Sequence, residues 1–144
     1  MQGGTVPANP DRRFPRAARL LRHADFERVY KQGRRHFAAH MTVFYLARTE
    51  GVGMRVGFTV GRVLGGAVVR NRMKRRLREA VRGHRRALSA AADVVINPKK
   101  SLLTAAFSEL QQEVERAFAV IRQKVEPSAA ELRLRGRQKF DSGF

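Results

Sequence analysis

Residues 54–79 read MRVGFTVGRVLGGAVVRNRMKRRLRE, and this stretch decides the fold. In its first eight residues bulky apolar side chains alternate with small or polar ones, which is typical of a strand with one buried face. The apolar face consists of Val56, Phe58 and Val60. The opposite face is shallow enough to admit a ligand and consists of Arg55, Gly57, Thr59 and Gly61. Gly65 and Gly66 then predict a turn, after which the apolar residues follow a helical period.

The helix predicted over residues 67–88 has an apolar stripe and a cationic arc. The stripe consists of Val69, Met73, Leu77, Ala80, Val81, His84 and Leu88. The arc consists of Arg72, Arg75, Arg76, Arg78, Arg82, Arg85 and Arg86. Arg70 is an exception because it projects near the apolar edge. Either the stripe narrows at that end, or Arg70 reaches past the core to a partner.

The remaining patterns predict two more helices and two more strands. The helices span 23–32 and about 102–122, and the strands span about 37–48 and 92–97. Helices and strands therefore alternate in one small unit, which predicts a mixed α/β fold, an α+β two-layer sandwich. Both ends lack periodicity, so we expect a flexible N-terminal arm over 1–15 and a basic tail over 123–144.

The composition is that of one strongly basic domain. The chain has 144 residues, of which 30 are Lys or Arg and 12 are Asp or Glu, for a net charge of +18. Such a surface binds polyphosphate or anionic membrane readily. The chain has no cysteine, which excludes disulfide scaffolds, zinc ribbons and thiol catalysis. Because the sequence shows neither a signal peptide nor a membrane span, we expect a soluble, cytoplasmic protein.

The sequence offers little support for chemistry by the chain itself. The four histidines do not stand at metal-ligand spacings, and the acidic residues are scattered, whereas a two-metal nuclease needs carboxylates that converge. The segment GRVLGG precedes a helix but fits neither common nucleotide-binding spacing, so a turn is the simpler interpretation, although a nucleic-acid phosphate could dock there.

The basic helix is the strongest functional signal. Residues 62–86 contain ten Lys or Arg and a single Glu. Like charges one helical turn apart repel, so an ordinary solvated face mixes both signs. An anionic partner would relieve this repulsion, and RNA is the partner we expect. An idle cationic surface is one alternative. A membrane is another, but the apolar side of the helix is short and is needed for the core.

Three aromatic residues form a second candidate site. Phe26 and Tyr30 share one face of the first predicted helix, and Phe44 lies in the strand that follows. Their positions favour a hydrophobic core, and the alternative is a groove on which unpaired bases stack. The residues alone leave both interpretations open.

Several segments together resemble the bacterial ribonuclease P protein family. They are RLLRHADFERVYKQGRR, the stretch 54–79 and ADVVINPKK. The most specific element is Arg70-Asn71-Arg72 with the basic residues after it. The resemblance spans residues 16–122, which we take as the ribonuclease P protein domain.

The resemblance implies a protein cofactor of a ribozyme. Its partners would be the ribonuclease P RNA, which is the catalytic subunit, and precursor tRNA, whose 5′ leader is removed by endonucleolytic hydrolysis. Mg²⁺, held mainly by the RNA, would supply the chemistry, with no catalytic residue in the protein. It also implies a ribosomal protein S5 domain 2-like fold, with a mixed sheet, three helices and a left-handed βαβ crossover, whereas the general handedness rule predicts a right-handed one.

The resemblance assigns residues to two surfaces. The surface for the catalytic RNA comprises Arg70, Asn71, Arg72, Lys74, Arg75 and Arg76. The cleft for the leader comprises Phe26, Tyr30, Phe44, Thr59, Arg62 and Lys99, with the shallow face of 55–61 as its floor. Metal sites in the protein are left undefined. A structural RNA-binding protein, such as a ribosomal protein, is the main alternative; an architectural DNA-binding protein is a further one, although we expect neither DNA nor membrane as a partner.

Overall fold

The computed structural model describes residues 19–20, 22–49, 51, 53–84 and 91–125. Three helices and four strands follow one another in these residues. In chain order they are α1 (His23–Gln32), β1 (Arg34–Phe37), β2 (Met41–Ala47), β3 (Met54–Phe58), α2 (Ala67–Arg82), β4 (Ala92–Pro98) and α3 (Phe107–Val125). Short 3-10 turns precede α2 at Arg62–Leu64 and α3 at Lys100–Leu103. The predicted arm over 1–15 and all but the first residues of the predicted tail over 123–144 lie outside the described residues.

The sheet is mixed and has the strand order β1-β2-β4-β3. β2 pairs antiparallel with both β1 and β4, while β3 pairs parallel with β4. Because β3 and β4 are parallel neighbours, α2 connects them as a βαβ crossover. The mixed sheet with three helices that was predicted is confirmed, and the left-handedness of the crossover stays a prediction.

Alternation along the strands separates two apolar layers. Val43, Tyr45, Val94 and Ile96 face α2 and α3, and they form the main core with residues such as Met73, Leu77, Leu110, Val114 and Phe118. Phe44, Leu46 and Val95 face the other way and pack with Leu20 and α1. The sheet and the pair α2–α3 thus form the main two-layer sandwich, and α1 covers part of the second sheet face.

The strand predicted over 37–48 is wrong in its extent, because two strands and a turn occupy residues 34–47. Ala38 donates to the carbonyl of Met41 at the turn, and the amide of His40 donates to Glu113 on α3 at 3.1 Å. The turn segment Ala38-Ala39-His40 contains no Gly, Pro, Asn or Asp, so the usual sequence signal for a hairpin is missing. Contacts with distant elements stabilise it instead.

Two helix boundaries also differ from the predictions. α2 ends at Arg82, next to Gly83, rather than at 88, and residues 85–88 lie outside the described residues. α3 begins at Phe107 rather than at 102, because a 3-10 turn occupies the start of that pattern. The amide of Ala106 donates to the Glu109 carboxylate, which supplies an acceptor at the N-terminus of α3.

A buried ionic network holds α1 in place over the sheet. Asp93 on β4 is fully buried and accepts hydrogen bonds at 2.8 Å from both Arg48 and Arg55. Arg28 on α1 lies 4.0 Å from Asp93 and 3.0 Å from the nearly buried Asp25 of the same helix. The hydrogen bond to Asp93 raises the pKa of Arg55 above its ordinary value. The network joins α1 to β3 and β4, and it thereby positions Phe26 and Tyr30 over the sheet.

Candidate nucleic-acid interface

The exposed face of α2 is almost purely cationic. Asn71, Arg72, Arg75 and Arg78 are exposed along it, and Lys74 is half-buried. The single acidic residue of α2, Glu79, accepts a hydrogen bond from Arg82 at 2.6 Å. The sequence placed these cations opposite the apolar stripe, and burial of Met73, Leu77, Ala80 and Val81 confirms that arrangement. This face presents several guanidinium groups to solvent with little internal neutralisation.

Arg70 and Arg76 are held within the protein and differ in this from their neighbours. The Nε of Arg70 donates to the carbonyl of Gly65 at 3.1 Å. The guanidinium of Arg76 donates to the carbonyls of Leu103 and Ala105, which lie just before α3, and its Nε is buried. In the free chain the guanidinium of Arg76 binds the adjoining segment, and its predicted contact with the catalytic RNA stays a prediction. Arg70 stays half-exposed at the first turn of α2.

Tyr30 and Phe44 form a mixed aromatic and hydrogen-bonding surface at the C-terminal end of α1. Their rings meet edge to face with centroids 4.9 Å apart. The hydroxyl of Tyr30 lies 2.6 Å from the Thr59 hydroxyl and donates to the Asn97 side chain at 3.0 Å. The guanidinium of Arg35 stands over the Phe44 ring, 5.5 Å from its centroid. Both rings are only partly buried, so they contribute to the core and to the surface at once.

Phe26 lies one turn earlier on α1 and covers Gly57. A Cβ added to Gly57 would stand 2.4 Å from the tip of the Phe26 ring and 3.1 Å from the Leu20 side chain. The shallow face of 55–61 was predicted to be the floor of the cleft. Only part of this face is open, because Phe26 and Leu20 fill the space above Gly57. Its exposed portion begins at Thr59, beside Tyr30.

The other predicted cleft residues lie at different places around this surface. Thr59 is brought together with Tyr30 by the hydrogen bond described above. Lys99 is exposed, and its ammonium donates to the carbonyl of Ala38 at 3.1 Å, close to the β1–β2 turn. Arg62 is exposed in the 3-10 turn between β3 and α2, so it lies on the path from the cleft to the basic helix.

Sequence reasoning missed two parts of the interface. Arg35 and Asn97 contact Phe44 and Tyr30, and their roles depend on strand register, which the sequence does not show. A groove of about 590 Å³ also runs between the edge of β3 and α2. Its lining includes Arg19, Phe26, Phe58, Lys74, Arg75, Arg78, Glu79 and Arg82. Phe26 therefore lines this groove and also packs beneath α1. In the sequence, the excess of Arg on α2 was the signal that could have indicated the groove.

The described residues do not offer a magnesium cage. No group of three or more His, Asp or Glu in 19–20, 22–49, 51, 53–84 and 91–125 is arranged to hold a metal ion. The buried carboxylates Asp25 and Asp93 contact arginines, and Glu113 contacts His40. Mg²⁺ prefers several oxygen ligands and retained waters, so a surface of guanidinium groups does not fit it. None of the helices formed by these residues combines the length and the apolar character that a membrane span requires.

A cationic helix beside an aromatic, hydrogen-bonding sheet surface defines a nucleic-acid-binding protein of the α+β class. The sequence model of the Ribonuclease P family matches residues 14–122. The chain belongs to this family and is a protein subunit of ribonuclease P, the endonuclease of tRNA 5′ processing.

Relatives and solved structures agree with the family match. The ribonuclease P protein component of Desulfovibrio desulfuricans is 46% identical over 88 residues, which are 60% of this chain and 68% of that protein. That of Citrifermentans bemidjiense is 40% identical over 111 residues, covering 77% and 94%. The Staphylococcus aureus RNase P protein superposes with a TM-score of 0.64 at 27% identity, covering 73% of this chain and 95% of that one. The Thermotoga maritima protein gives 0.59 at 26%, covering 68% and 96%.

Proposed function

We propose that this subunit binds the ribonuclease P RNA through the exposed face of α2 and holds the 5′ leader of precursor tRNA on the surface around Tyr30 and Phe44. The observation that carries the proposal is the adjacency of two different surfaces, which meet at the groove lined by Phe26 of α1 and by Arg75 and Arg78 of α2. One is a dense row of exposed guanidinium groups, and the other combines partly exposed rings with hydroxyl and amide groups.

The α2 face suits a folded RNA. Guanidinium groups make forked contacts with phosphate oxygens, and each phosphate they neutralise releases counterions. Arg72, Arg75 and Arg78 are exposed along the helix, and Asn71 adds an amide. Arg70 at the first turn would extend the same contact, while Arg62 in the preceding 3-10 turn stays assigned to the leader. Arg76 is left out of this surface because its guanidinium is bound to the segment before α3.

The surface around Tyr30 suits an unpaired strand. Bases of any identity can stack on a ring or on a guanidinium plane. Phe44 with Arg35 over it offers such a stack, while Thr59 and Asn97 offer polar groups fixed by the Tyr30 hydroxyl. Lys99 would meet the phosphates near the β1–β2 turn. These groups select a single strand by shape and charge, which is appropriate for leaders of varied sequence.

The cleavage chemistry is assigned to the RNA partner. Mg²⁺ bound there would activate the attacking water and stabilise the leaving oxygen. The residues of this chain bind, orient and neutralise charge. They do not fit the ion themselves, so no proton transfer or ligation step is assigned to them. We expect the complex to work in the cytoplasm.

A reconstitution tests the proposal. The protein, its RNA and a precursor tRNA are mixed at low Mg²⁺, and leader release is compared with that from protein or RNA alone. We expect efficient cleavage only from the mixture. Phe44→Ala should weaken binding of precursor tRNA more than of mature tRNA, whereas Phe107→Ala, at a partly exposed ring on α3, should weaken neither. Equal losses for the two tRNAs would overturn the assignment of the leader to this surface.

A further inference from the structure

A row of side chains crosses the whole sheet at the end that α1 leaves open. Phe37 on β1 pairs with Thr42 on β2, and Thr42 pairs with Asn97 on β4. Thr59 continues the row next to β4, because its amide donates to the carbonyl of Ile96 at 3.0 Å. Neighbouring strands lie about 4.8 Å apart, so the row is roughly 14 Å long. It begins at one edge of the sheet and ends at the other.

All members of the row face the same side as Phe44. Met41, Val43 and Tyr45 are buried in the main core, so Thr42 and Phe44, which alternate with them on β2, face the opposite side. Residues directly paired across strands share a face, which places Phe37 beside Thr42 and diagonally next to Phe44. The surface proposed for the leader therefore continues past Phe44 to the β1 edge.

Phe37 is the unusual member, because 67% of this large aromatic residue is exposed. Two cations lie near it in the fold. Arg35 lies two residues earlier on the same strand and face, and the ammonium of Lys99 is hydrogen-bonded to the carbonyl of Ala38, the next residue. An exposed ring next to two positive groups, on a chain of net charge +18, suits an anionic strand with bases to stack.

The two ends of the row lie at different distances from the proposed contact with the catalytic RNA. From Thr59 the chain continues through the 3-10 turn Arg62–Leu64 to the first turn of α2, so the proposed contact with the catalytic RNA lies at the β3 edge. Phe37 lies at the opposite edge of the four-stranded sheet. A leader that starts near the catalytic RNA would meet Thr59 and Tyr30 first and Phe37 last.

We infer that Phe37 is a stacking position for a leader nucleotide farther from the cleavage site than those at Tyr30 and Phe44. This inference rests on the proposed function, because it assumes that the leader lies on this sheet face. The ligand is a single RNA strand, recognised by stacking on Phe37 and by phosphate contacts with Arg35 and Lys99.

The test uses the holoenzyme and precursor tRNAs whose leaders are lengthened one nucleotide at a time. Affinity for the wild-type holoenzyme should rise with leader length and then level off. With Phe37→Ala it should match wild type for short leaders, level off at a shorter length, and end about five- to tenfold weaker. Phe37→Tyr, which keeps a ring, should restore the wild-type plateau. Phe107→Ala serves as the control for loss of a partly exposed phenylalanine.

Phe44→Ala separates the inference from the proposed function. If Phe44→Ala weakens leader binding and Phe37→Ala matches wild type at every length, the inference is wrong and the proposed function stands. If both variants match wild type, the leader does not lie on this face and both fail. An equal loss with mature tRNA would mean that Phe37 contacts something other than the leader. Sedimentation of the free protein gives a further check: a dimer abolished by Phe37→Ala would identify Phe37 as a contact between copies and overturn the inference.

Discussion

The guanidinium of Arg76 donates a hydrogen bond to the main-chain carbonyl of Ala105, which joins α2 to the segment that leads into α3. The guanidinium of Arg76 donates a second hydrogen bond, 3.3 Å long, to the carbonyl of Leu103, which ends the 3-10 turn before α3. Arg75, the preceding residue, is exposed. Two adjacent arginines in one basic run therefore have different roles, one in the fold and one in the proposed contact with RNA.

Arg76→Ala should lower the stability of the protein. The substitution leaves two carbonyls without their charged donor, and hydrogen bonds to charged groups contribute about 1.5–3 kcal/mol. Urea denaturation should show a loss of that order, and Arg76→Lys should recover only part of it, because an ammonium cannot reproduce the fork. The salt dependence of RNA binding should stay as in wild type. A stable variant with a flatter salt dependence would place Arg76 in the RNA contact instead.

The double variant Arg72→Ala/Arg75→Ala should show the opposite of Arg76→Ala: its stability should stay close to that of wild type, and the salt dependence of its RNA binding should become flatter. Both side chains are exposed, so stability should change little. Each phosphate contact that is lost should reduce the slope of log K against log salt by about 0.7–0.9. The measurement is the affinity for the ribonuclease P RNA over a series of salt concentrations. Lys124→Ala, an exposed cation in the last turn of α3, is the control and should leave the slope unchanged.

His36 should make stability depend on pH. Burial against α3 lowers its pKa, and nearby Arg116 lowers it further, while Glu113 acts in the opposite direction. The unfolded chain, with an ordinary pKa near 6.5, then binds more protons than the folded chain. Stability contributed by His36 is therefore complete above about pH 6.5 and falls as the pH is lowered toward the folded pKa.

Urea denaturation of wild type and His36→Gln over a series of pH values measures this contribution. Wild type should lose more stability than the variant as the pH falls below about 6.5. His23→Gln, at an exposed position on α1 beside Glu27, provides a comparison in which burial against α3 is absent. Parallel curves for wild type and His36→Gln would show that His36 does not carry the effect.

The sequence pattern predicted an element correctly where that element depends mainly on its own residues. The first helix matches its prediction residue for residue at His23–Gln32, and the strand after Ala91 was placed correctly because five consecutive residues of β4 are buried. The β1–β2 turn was missed, since Glu113 and the main-chain contact of Lys99 with His40 stabilise it from distant parts of the chain. Helical period placed Arg76 on the cationic arc correctly, but it carried no information about the carbonyls of Leu103 and Ala105.

The sequence predicted the kind of site, a nucleic-acid-binding surface, but it did not predict all of the residues that form it. The sequence left Phe26, Tyr30 and Phe44 as either core or groove; all three pack partly in the core and partly at the surface, and the stacking of bases on them stays a prediction. Asn97, Arg35 and Phe37 join this surface through strand register alone. Register depends on hydrogen bonding between strands far apart in sequence, which a single sequence does not reveal.

Gly57 and Phe26 should be energetically coupled. In Gly57→Ala the new Cβ would stand 2.4 Å from the Phe26 ring, so the ring must move, and overpacking of this kind costs about 1–3 kcal/mol. Phe26→Ala removes the nearer obstacle and leaves Leu20 at 3.1 Å. The loss caused by Gly57→Ala should therefore be smaller in the Phe26→Ala background, with a coupling of about 0.5–3 kcal/mol in a double-mutant cycle measured by urea denaturation. Gly61→Ala, where a Cβ meets nothing within 4 Å, is the control. Strictly additive stability losses would show that Phe26 does not occupy the space above Gly57.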